Sequence, residues 1–134
     1  MTARWFDVIH PQSGEAPVVV EVPHAGLQMP AEVLATLVAP ARAVVRDADV
    51  FVDELYQDAP SEGASLLVAR CSRYVVDLNR AEDDVDCSIV ASDPRPARPN
   101  ARGLVWRLTT DGELALERPL TDAEYRHRVE TFHR

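Results

Sequence analysis

The chain has 134 residues, 46% of them hydrophobic and 27% charged, and its formal net charge at pH 7 is −8. This composition is typical of one soluble domain, and the acidic balance argues against a nucleic-acid partner, because proteins that bind phosphate backbones use basic residues to release counterions. Apolar runs such as Val18 to Val20 are far shorter than the ~18 residues of a membrane-spanning helix, and Met1 to His10 lack the pattern of a secretion signal. We therefore expect no membrane partner either.

The two cysteines, Cys71 and Cys87, are too few for a disulfide framework and lack the close pairing of zinc-binding thiolates. We expect both thiols to be structural and the protein to be cytoplasmic. All 14 basic residues are arginine. Either a GC-rich coding bias or a need for planar, permanently charged side chains explains that choice.

The first half of the sequence predicts a strand followed by helices. Val18 to Val22 is a β-branched run that Pro23 and Gly26 stop, which indicates a buried strand ending in a turn. Helices are predicted from Pro30 to Val38, with the proline at the first position, and from Asp47 to Ala59.

Two further strands are predicted after these helices, at Leu66 to Ala69 and at Arg73 to Leu78, with a tight turn between them. The order of strand, helices and strands favours an α/β fold, with a mainly parallel or mixed sheet flanked by helices. Ser92 to Arg102 contains three prolines and is predicted to be a loop, because each proline removes a backbone donor and fixes φ.

The last predicted element is a helix that begins at Asp122. Thr121 and Glu124 have the spacing of a capping box. No glycine, proline or polar stop signal precedes Arg134, so we expect the chain to be cut within a larger domain. The apolar face of the helix is formed by Tyr125, Val129 and Phe132.

His24 directly follows the first predicted strand, in the sequence Pro23-His24-Ala25-Gly26. Small neighbours let a metal ion or a substrate approach an imidazole closely, and ligands of open α/β sheets gather at the carboxyl ends of the strands. His24 is therefore a candidate metal ligand. The alternative is an ordinary histidine in a surface turn.

Asp49 and Asp53 are four residues apart and are predicted to share one helix face. Two carboxylates at this spacing repel each other unless a cation lies between them, and a carboxylate complements imidazole on zinc. The alternative is a solvated acidic face.

Asn79 and Arg80 follow the last predicted strand, so the guanidinium is expected to emerge at a strand end and to bind a carboxylate with two hydrogen bonds. Arg73 is a second candidate for this role. The alternative is an internal ion pair with one of the nearby acids, which are Asp77, Asp83 and Asp84.

Three motifs in this order resemble those of the N-formylglutamate amidohydrolase family. They are Pro23 to Gly26, Asp49 to Tyr56 and Ser72 to Arg80, and the last, Ser-Arg-Tyr-Val-Val-Asp-Leu-Asn-Arg, is long and specific. The segments that follow also resemble the family, so the resemblance covers nearly the whole chain. It implies a fold similar to that of zinc carboxypeptidases and aspartoacylases, a three-layer sandwich of the phosphorylase/hydrolase type that is incomplete at its C-terminus.

The resemblance also implies an activity, namely zinc-dependent hydrolysis of the amide of N-formyl-L-glutamate or a similar N-acyl amino acid, with one zinc ion per site. Position by position, His24 and Asp49 match metal ligands, and Asp53 matches an outer-sphere partner. Asn79 and Arg80 match the pair that holds the carboxylate of the substrate.

The third metal ligand of the family, a histidine in an Asp-x-His-Ser-like motif, and the acid-base carboxylate have no match in this sequence; His127 and His133 do not fit. We therefore expect residues 1–134 to be the N-terminal portion of a single amidohydrolase domain, without an internal boundary and with impaired activity. The alternatives are a binding module that holds a small anion through Arg73 and Arg80, and an inactive fragment.

Overall fold

A computed structural model of the protein describes residues 4–12, 14–86, 88–92 and 101–134. Its described part contains a three-stranded mixed sheet formed by β1 (Phe6–Ile9), β2 (Val19–Val22) and β3 (Ser65–Ala69). The central strand β3 pairs in parallel with β2 and antiparallel with β1. The sequence therefore predicted two of the three strands closely, whereas β1 was missed because four residues carry too little pattern.

Short helices follow the strands, and the first two begin directly after prolines. Pro30 and Pro40 are both extended and stand at the N-caps, where a proline lacks only a donor that the helix does not use. The first predicted helix ends about one turn early, and the second was not predicted. The helices are α1 (Ala31–Leu34), α2 (Ala41–Asp47), α3 (Val52–Leu55) and α4 (Asp122–Arg128), with a 3-10 turn at Ala59–Glu62 and a π-helical turn at Val129–His133.

The helix predicted from Asp47 to Ala59 is wrong. Asp47 is the last residue of α2, and Phe51 adopts a left-handed conformation with φ of 69°, which a continuous helix does not tolerate. As a consequence, Asp49 lies in a loop before α3 while Asp53 lies within it, and the two carboxylates do not share a helix face.

The strand predicted from Arg73 to Leu78 is also wrong, because this buried segment consists of turns. The amide of Asp77 donates to the backbone carbonyl of Leu104 at 2.7 Å, and several other backbone groups are satisfied by side chains. Nη1 of Arg128, a residue of α4 that is only 3% exposed, donates to the carbonyls of Tyr74 (3.1 Å) and Val75 (3.3 Å), and Nη2 donates to Oγ1 of Thr36 (2.9 Å). The apolar run was correctly placed in the core, but its burial does not require a strand.

The C-terminal helix was predicted correctly. Thr121 and Glu124 form the capping box, with the Glu124 amide donating to Oγ1 of Thr121 and the Thr121 amide donating to the Glu124 carboxylate. Val129 and Phe132 are buried in the main core cluster, and Tyr125 packs against it. This helix closes the core against the Arg73 to Leu78 segment.

One face of the sheet packs into the core and the other is open. Val22, Leu66 and Val68 form a buried cluster on the first face. On the opposite face Phe6 is 51% and Val19 is 65% exposed, so the prediction that the β2 segment is a buried strand is only half right.

Cys71 is buried, and burial raises the pKa of its thiol to about 11, as expected of a structural cysteine. Cys87 and most of the predicted loop from Ser92 to Arg102, namely residues 93–100, lie outside the described residues. No helix within the described ranges has the length and apolar character needed to cross a membrane.

Gly26 lets the loop after β2 run directly against the end of β3. A Cβ at this position would lie 2.3 Å from the backbone carbon and oxygen of Arg70, and the amide of Gln28 donates to the same carbonyl at 2.9 Å. The chain leaving His24 is thereby fixed to the central strand.

We predict that Gly26→Ala lowers the free energy of unfolding by about 2–3 kcal/mol, because backbone atoms must shift to admit the methyl group. Gly112→Ala is the control, since no atom lies within 4 Å of its Cβ position and only the φ of 83° is unfavourable, at about 1 kcal/mol. Urea unfolding of the two variants measures the difference, and equal losses would contradict the close approach.

Candidate active site

His24 lies two residues beyond β2, as the sequence predicted, and is 5% exposed. Its backbone carbonyl accepts a hydrogen bond from the amide of Asp49 at 3.0 Å, which docks the loop before α3 onto the loop after β2. The left-handed Phe51 turns the chain into α3 directly after this contact. Two loops that are distant in sequence are thus joined at the histidine.

The two ring nitrogens of His24 have different environments. Nε2 lies 2.7 Å from Oδ1 of Asp77, whereas Nδ1 lies 2.6 Å from Nη2 of Arg73 and 3.3 Å from Oδ2 of Asp49. Because Asp77 accepts and Arg73 can only donate, these partners assign the hydrogen to Nε2 and the lone pair to Nδ1. The lone pair therefore points toward Asp49 and Arg73.

Asp77 is the buried carboxylate that orients His24, and it is 1% exposed. Besides the imidazole it accepts hydrogen bonds from Nε1 of Trp106 (3.1 Å) and the amide of Asn79 (3.0 Å), and Nη2 of Arg73 lies 3.5 Å from its Oδ2. Burial raises the pKa of this carboxyl, but the hydrogen bond from His24, the hydrogen bond from the Asn79 amide and the charge of Arg73 outweigh burial and hold the pKa below its usual value. From the sequence, Asp77 was expected only as a possible ion-pair partner of an arginine. Its place in the Asp-Leu-Asn-Arg motif was a signal that could have identified it as the carboxylate beside His24.

Arg73 points inward from the turn segment, with 16% of its side chain exposed. Nη1 donates to the carbonyl of Asp47 at 2.8 Å, and the guanidinium lies 4.8 Å from the centre of the Trp106 ring. Nη2 reaches His24, while Nε is buried and has no hydrogen-bond partner among the described residues. Arg73, the second candidate for binding a substrate carboxylate, therefore lies against His24, the candidate metal ligand.

Asp47 holds Arg73 in place through its backbone carbonyl. The sequence did not single it out as a site residue. Its carboxylate accepts hydrogen bonds from the Tyr74 hydroxyl (2.5 Å), the Thr110 amide (3.0 Å) and the Thr110 hydroxyl. Burial raises the pKa of Asp47, but these hydrogen bonds outweigh it and hold the pKa below its usual value. These hydrogen bonds to the carboxylate fix the position of Asp47, and the backbone carbonyl of Asp47 accepts the hydrogen bond from Arg73.

Asn79 and Arg80 lie in the turn after Asp77 and are both exposed. Nη1 of Arg80 lies 3.8 Å from Oδ2 of Asp84, one of the acids named as its alternative partner, and 41% of the Arg80 side chain remains exposed. Such a long, half-exposed pair contributes little, so the guanidinium keeps its capacity to bind an anion. The structure does not bring these two side chains into contact with His24.

Asp49 has a half-exposed side chain beside His24, whereas Asp53 lies on α3 without a hydrogen bond or ion pair to any described residue. The outer-sphere role of Asp53 stays a prediction, and the carboxylate that accepts the hydrogen bond from Nε2 of His24 is that of Asp77.

Nδ1 of His24 and Oδ2 of Asp49 have the separation of two ligands on one tetrahedral ion. Two atoms that each lie about 2.1 Å from such an ion are about 3.4 Å apart, and the observed distance is 3.3 Å. The carboxylate on the far nitrogen of His24 is the partner that metal-bound histidines usually have. Within the described ranges, however, no three His, Cys, Asp or Glu side chains come together to form a complete site.

A buried carboxylate-imidazole pair whose Nδ1 faces a second carboxylate, placed at the carboxyl end of a strand in a mixed α/β sheet, defines an α/β protein with a candidate ligand site at a strand end. The family model of N-formylglutamate amidohydrolase matches residues 16–134. The chain belongs to that family.

Individual relatives agree with this assignment. The chain is 44% identical over 78 residues to an N-formylglutamate deformylase from Pseudomonas aeruginosa (58% of this chain, 29% of the relative), and 42% identical over 71 residues to one from Pseudomonas putida (53% and 26%). The crystal structure of an N-formylglutamate amidohydrolase from Ralstonia eutropha JMP134 superposes with a TM-score of 0.83 at 28% identity, over 96% of this chain and 48% of that chain. The matches thus span less than one third of the two deformylases and about half of the crystallised relative.

We predict that Asp47→Asn makes the free energy of unfolding depend less on pH in the acidic range. The pKa of Asp47 is lower in the folded than in the unfolded chain, whose value is ~3.9, so the ionised carboxylate stabilises the fold above that pH and the contribution is lost as pH falls through the folded-state value. Asparagine also leaves one of the buried donors unpaired, which costs about 2 kcal/mol at pH 7. Urea unfolding between ~pH 2 and ~pH 7 measures both effects, and parallel curves for the two proteins would contradict the prediction.

Proposed function

We propose that this chain carries part of the active site of a zinc-dependent amidohydrolase that acts on N-formyl-L-glutamate or a similar N-acyl amino acid. The observation that carries the proposal is the arrangement at His24, in which Nδ1 faces Oδ2 of Asp49 at 3.3 Å while Nε2 is held by Asp77 at 2.7 Å. Membership of the N-formylglutamate amidohydrolase family and the similarity to two N-formylglutamate deformylases support the choice of substrate.

In this proposal His24 and Asp49 bind the metal, and Asp77 fixes the ring orientation and keeps the hydrogen on Nε2. When bound, zinc supplies a Lewis acid that polarises the amide carbonyl and lowers the pKa of a water molecule. Asn79 and Arg80 lie two and three residues beyond Asp77, in a turn whose geometry is set by the same carboxylate through the Asn79 amide. We propose that they hold the carboxylate of the substrate, a planar anion that suits a guanidinium.

We further propose that the sheet belongs to a single three-layer α/β domain, and that the third zinc ligand and the acid-base carboxylate come from a part of that domain outside these 134 residues. Two observations support this. The crystallised relative is matched over 48% of its length, and one sheet face is open, with a cleft of about 280 Å³ lined by apolar side chains that include Phe6, Leu67 and Phe132. A second helical layer would cover such a face.

The second candidate function is a non-catalytic module that binds a small anion. It is favoured by the finding that the described residues offer fewer than three grouped metal ligands, while Arg80 is exposed. Calorimetry with L-glutamate separates the two functions. Binding that needs no zinc and is abolished by Arg80→Ala would favour the module.

We predict that the 134-residue chain binds zinc weakly, with one ion per chain, and that His24→Ala or Asp49→Ala abolishes this binding. Asp77→Asn is expected to weaken it by about 10- to 100-fold, since it changes the group that orients the ligand. Competition with a chromophoric chelator measures the affinities. Asp53→Ala is the matched control, a carboxylate four residues from Asp49 that should leave zinc binding unchanged, and a loss as large as that of Asp49→Ala would contradict the ligand assignment.

We predict that a zinc-loaded form extended to the length of the family domain releases formate from N-formyl-L-glutamate. Arg80→Ala in that protein should raise KM by about 10- to 100-fold, because it removes a charge-assisted contact to the substrate. Arg42→Ala, which removes a surface arginine paired with Glu113, serves as the control. An extended and zinc-loaded protein without any amidase activity would refute the enzymatic function.

A further inference from the structure

Arg73 occupies the direction in which His24 would bind a metal ion. Nη2 of Arg73 lies 2.6 Å from Nδ1, the nitrogen that also faces Oδ2 of Asp49 at 3.3 Å. An imidazole nitrogen has a single lone pair in the ring plane, so it accepts a hydrogen bond from a guanidinium or binds a metal, but not both. The two cations therefore compete for one atom.

The guanidinium of Arg73 is not fully hydrogen-bonded in this position. Its Nε is buried without a hydrogen-bond partner among the described residues, and a buried N–H that is left unpaired costs free energy. Nη1 on the Asp47 carbonyl at 2.8 Å and the stacking on Trp106 do not depend on the contact of Nη2 with His24, and Nη2 itself also lies 3.5 Å from Oδ2 of Asp77. Nη2 can therefore leave His24 by a small rotation while the rest of the side chain stays anchored.

We propose that the guanidinium of Arg73 is an exchangeable stand-in cation at His24, which a bound metal ion displaces from Nδ1. The inference rests on the proposed function, because it requires the metal to bind at His24. The exchange keeps a positive charge between the carboxylates of Asp49 and Asp77, and competition with Arg73 sets the zinc affinity of the chain.

Trp106 reports on this exchange, because its ring stacks with the guanidinium that has to move. The chain has one other tryptophan, Trp5, which packs edge-on against Phe132 at 4.9 Å and is removed by Trp5→Phe. In that background the fluorescence emission comes from Trp106 alone. The signal does not require catalytic activity.

The test is a titration of the Trp5→Phe protein with Zn²⁺, with and without Arg73→Met. We expect the Trp106 emission to change in step with zinc occupancy, and we expect Arg73→Met to bind zinc about tenfold more tightly and to lose most of the emission change, since a charge-assisted competitor is gone. Arg102→Met is the matched control, because its guanidinium lies 5.8 Å from the centre of the same ring, and it should leave zinc affinity unchanged.

Arg73→Lys gives the same comparison if the methionine variant does not fold, as checked by circular dichroism. A lysine ammonium cannot reach the Asp47 carbonyl and Nδ1 together, so its zinc affinity should also exceed that of the parent. Zinc binding that is lost in His24→Ala but is equal or weaker in both Arg73 variants would overturn the exchange alone. Zinc binding that is unaffected by His24→Ala would overturn both the exchange and the proposed metal site.

Discussion

The hydrogen bond between Nε2 of His24 and Oδ1 of Asp77 is the interaction on which the rest of the site depends. It joins the loop after β2 to a buried segment that pairs with none of the described strands. Because both groups are almost fully buried, loss of either one would leave the other without its main partner, at a cost larger than that of an ordinary surface contact. The same bond fixes the tautomer of the imidazole and therefore decides which nitrogen faces Asp49.

The segment that carries Arg73 and Asp77 shows why side chains hold this site. Backbone groups in a strand are satisfied by the neighbouring strand, but here the side chain of Arg128 donates to two successive carbonyls. The carboxylate of Asp77 in turn accepts from the side chain of Trp106. In a strand, successive side chains point to opposite faces of the sheet, so only two directions are available. A segment of turns can direct the side chains of Arg73 and Asp77 and the following turn independently of one another. The helix α4 contributes indirectly, since its buried Arg128 supports the backbone between Arg73 and Asp77.

The parts of the fold that could be predicted from the sequence are those with local physical causes. The capping box at Thr121 and the β-branched run of β2 each act within a few residues, and both were placed correctly. The segment from Asp47 to Ala59 was assigned wrongly, because the Asp49 amide bonds to the His24 carbonyl and Phe51 then adopts a left-handed conformation. The segment from Arg73 to Leu78 was assigned wrongly, because the buried Arg128 donates to its backbone. Propensity is a weak guide where such contacts decide the conformation.

Only some of the candidate site residues lie together in the structure, and their roles stay predictions. His24, Asp49 and Arg73 were singled out from their motifs, and the structure brings them together. Asp77 and Asp47 were passed over as functional residues because their importance arises from convergence of distant segments, such as the contacts of Asp47 with Tyr74 and Thr110. No spacing rule within the sequence describes such a network.

We propose that His24 and Asp49 are ligands of one metal ion, and anomalous diffraction at the zinc edge from crystals of the zinc-loaded chain tests this assignment. We expect a single strong peak bonded to Nδ1 of His24 and to the carboxylate of Asp49, with Nη2 of Arg73 moved away from the imidazole. A zinc ion bound elsewhere, with Nδ1 still in contact with Arg73, would contradict it.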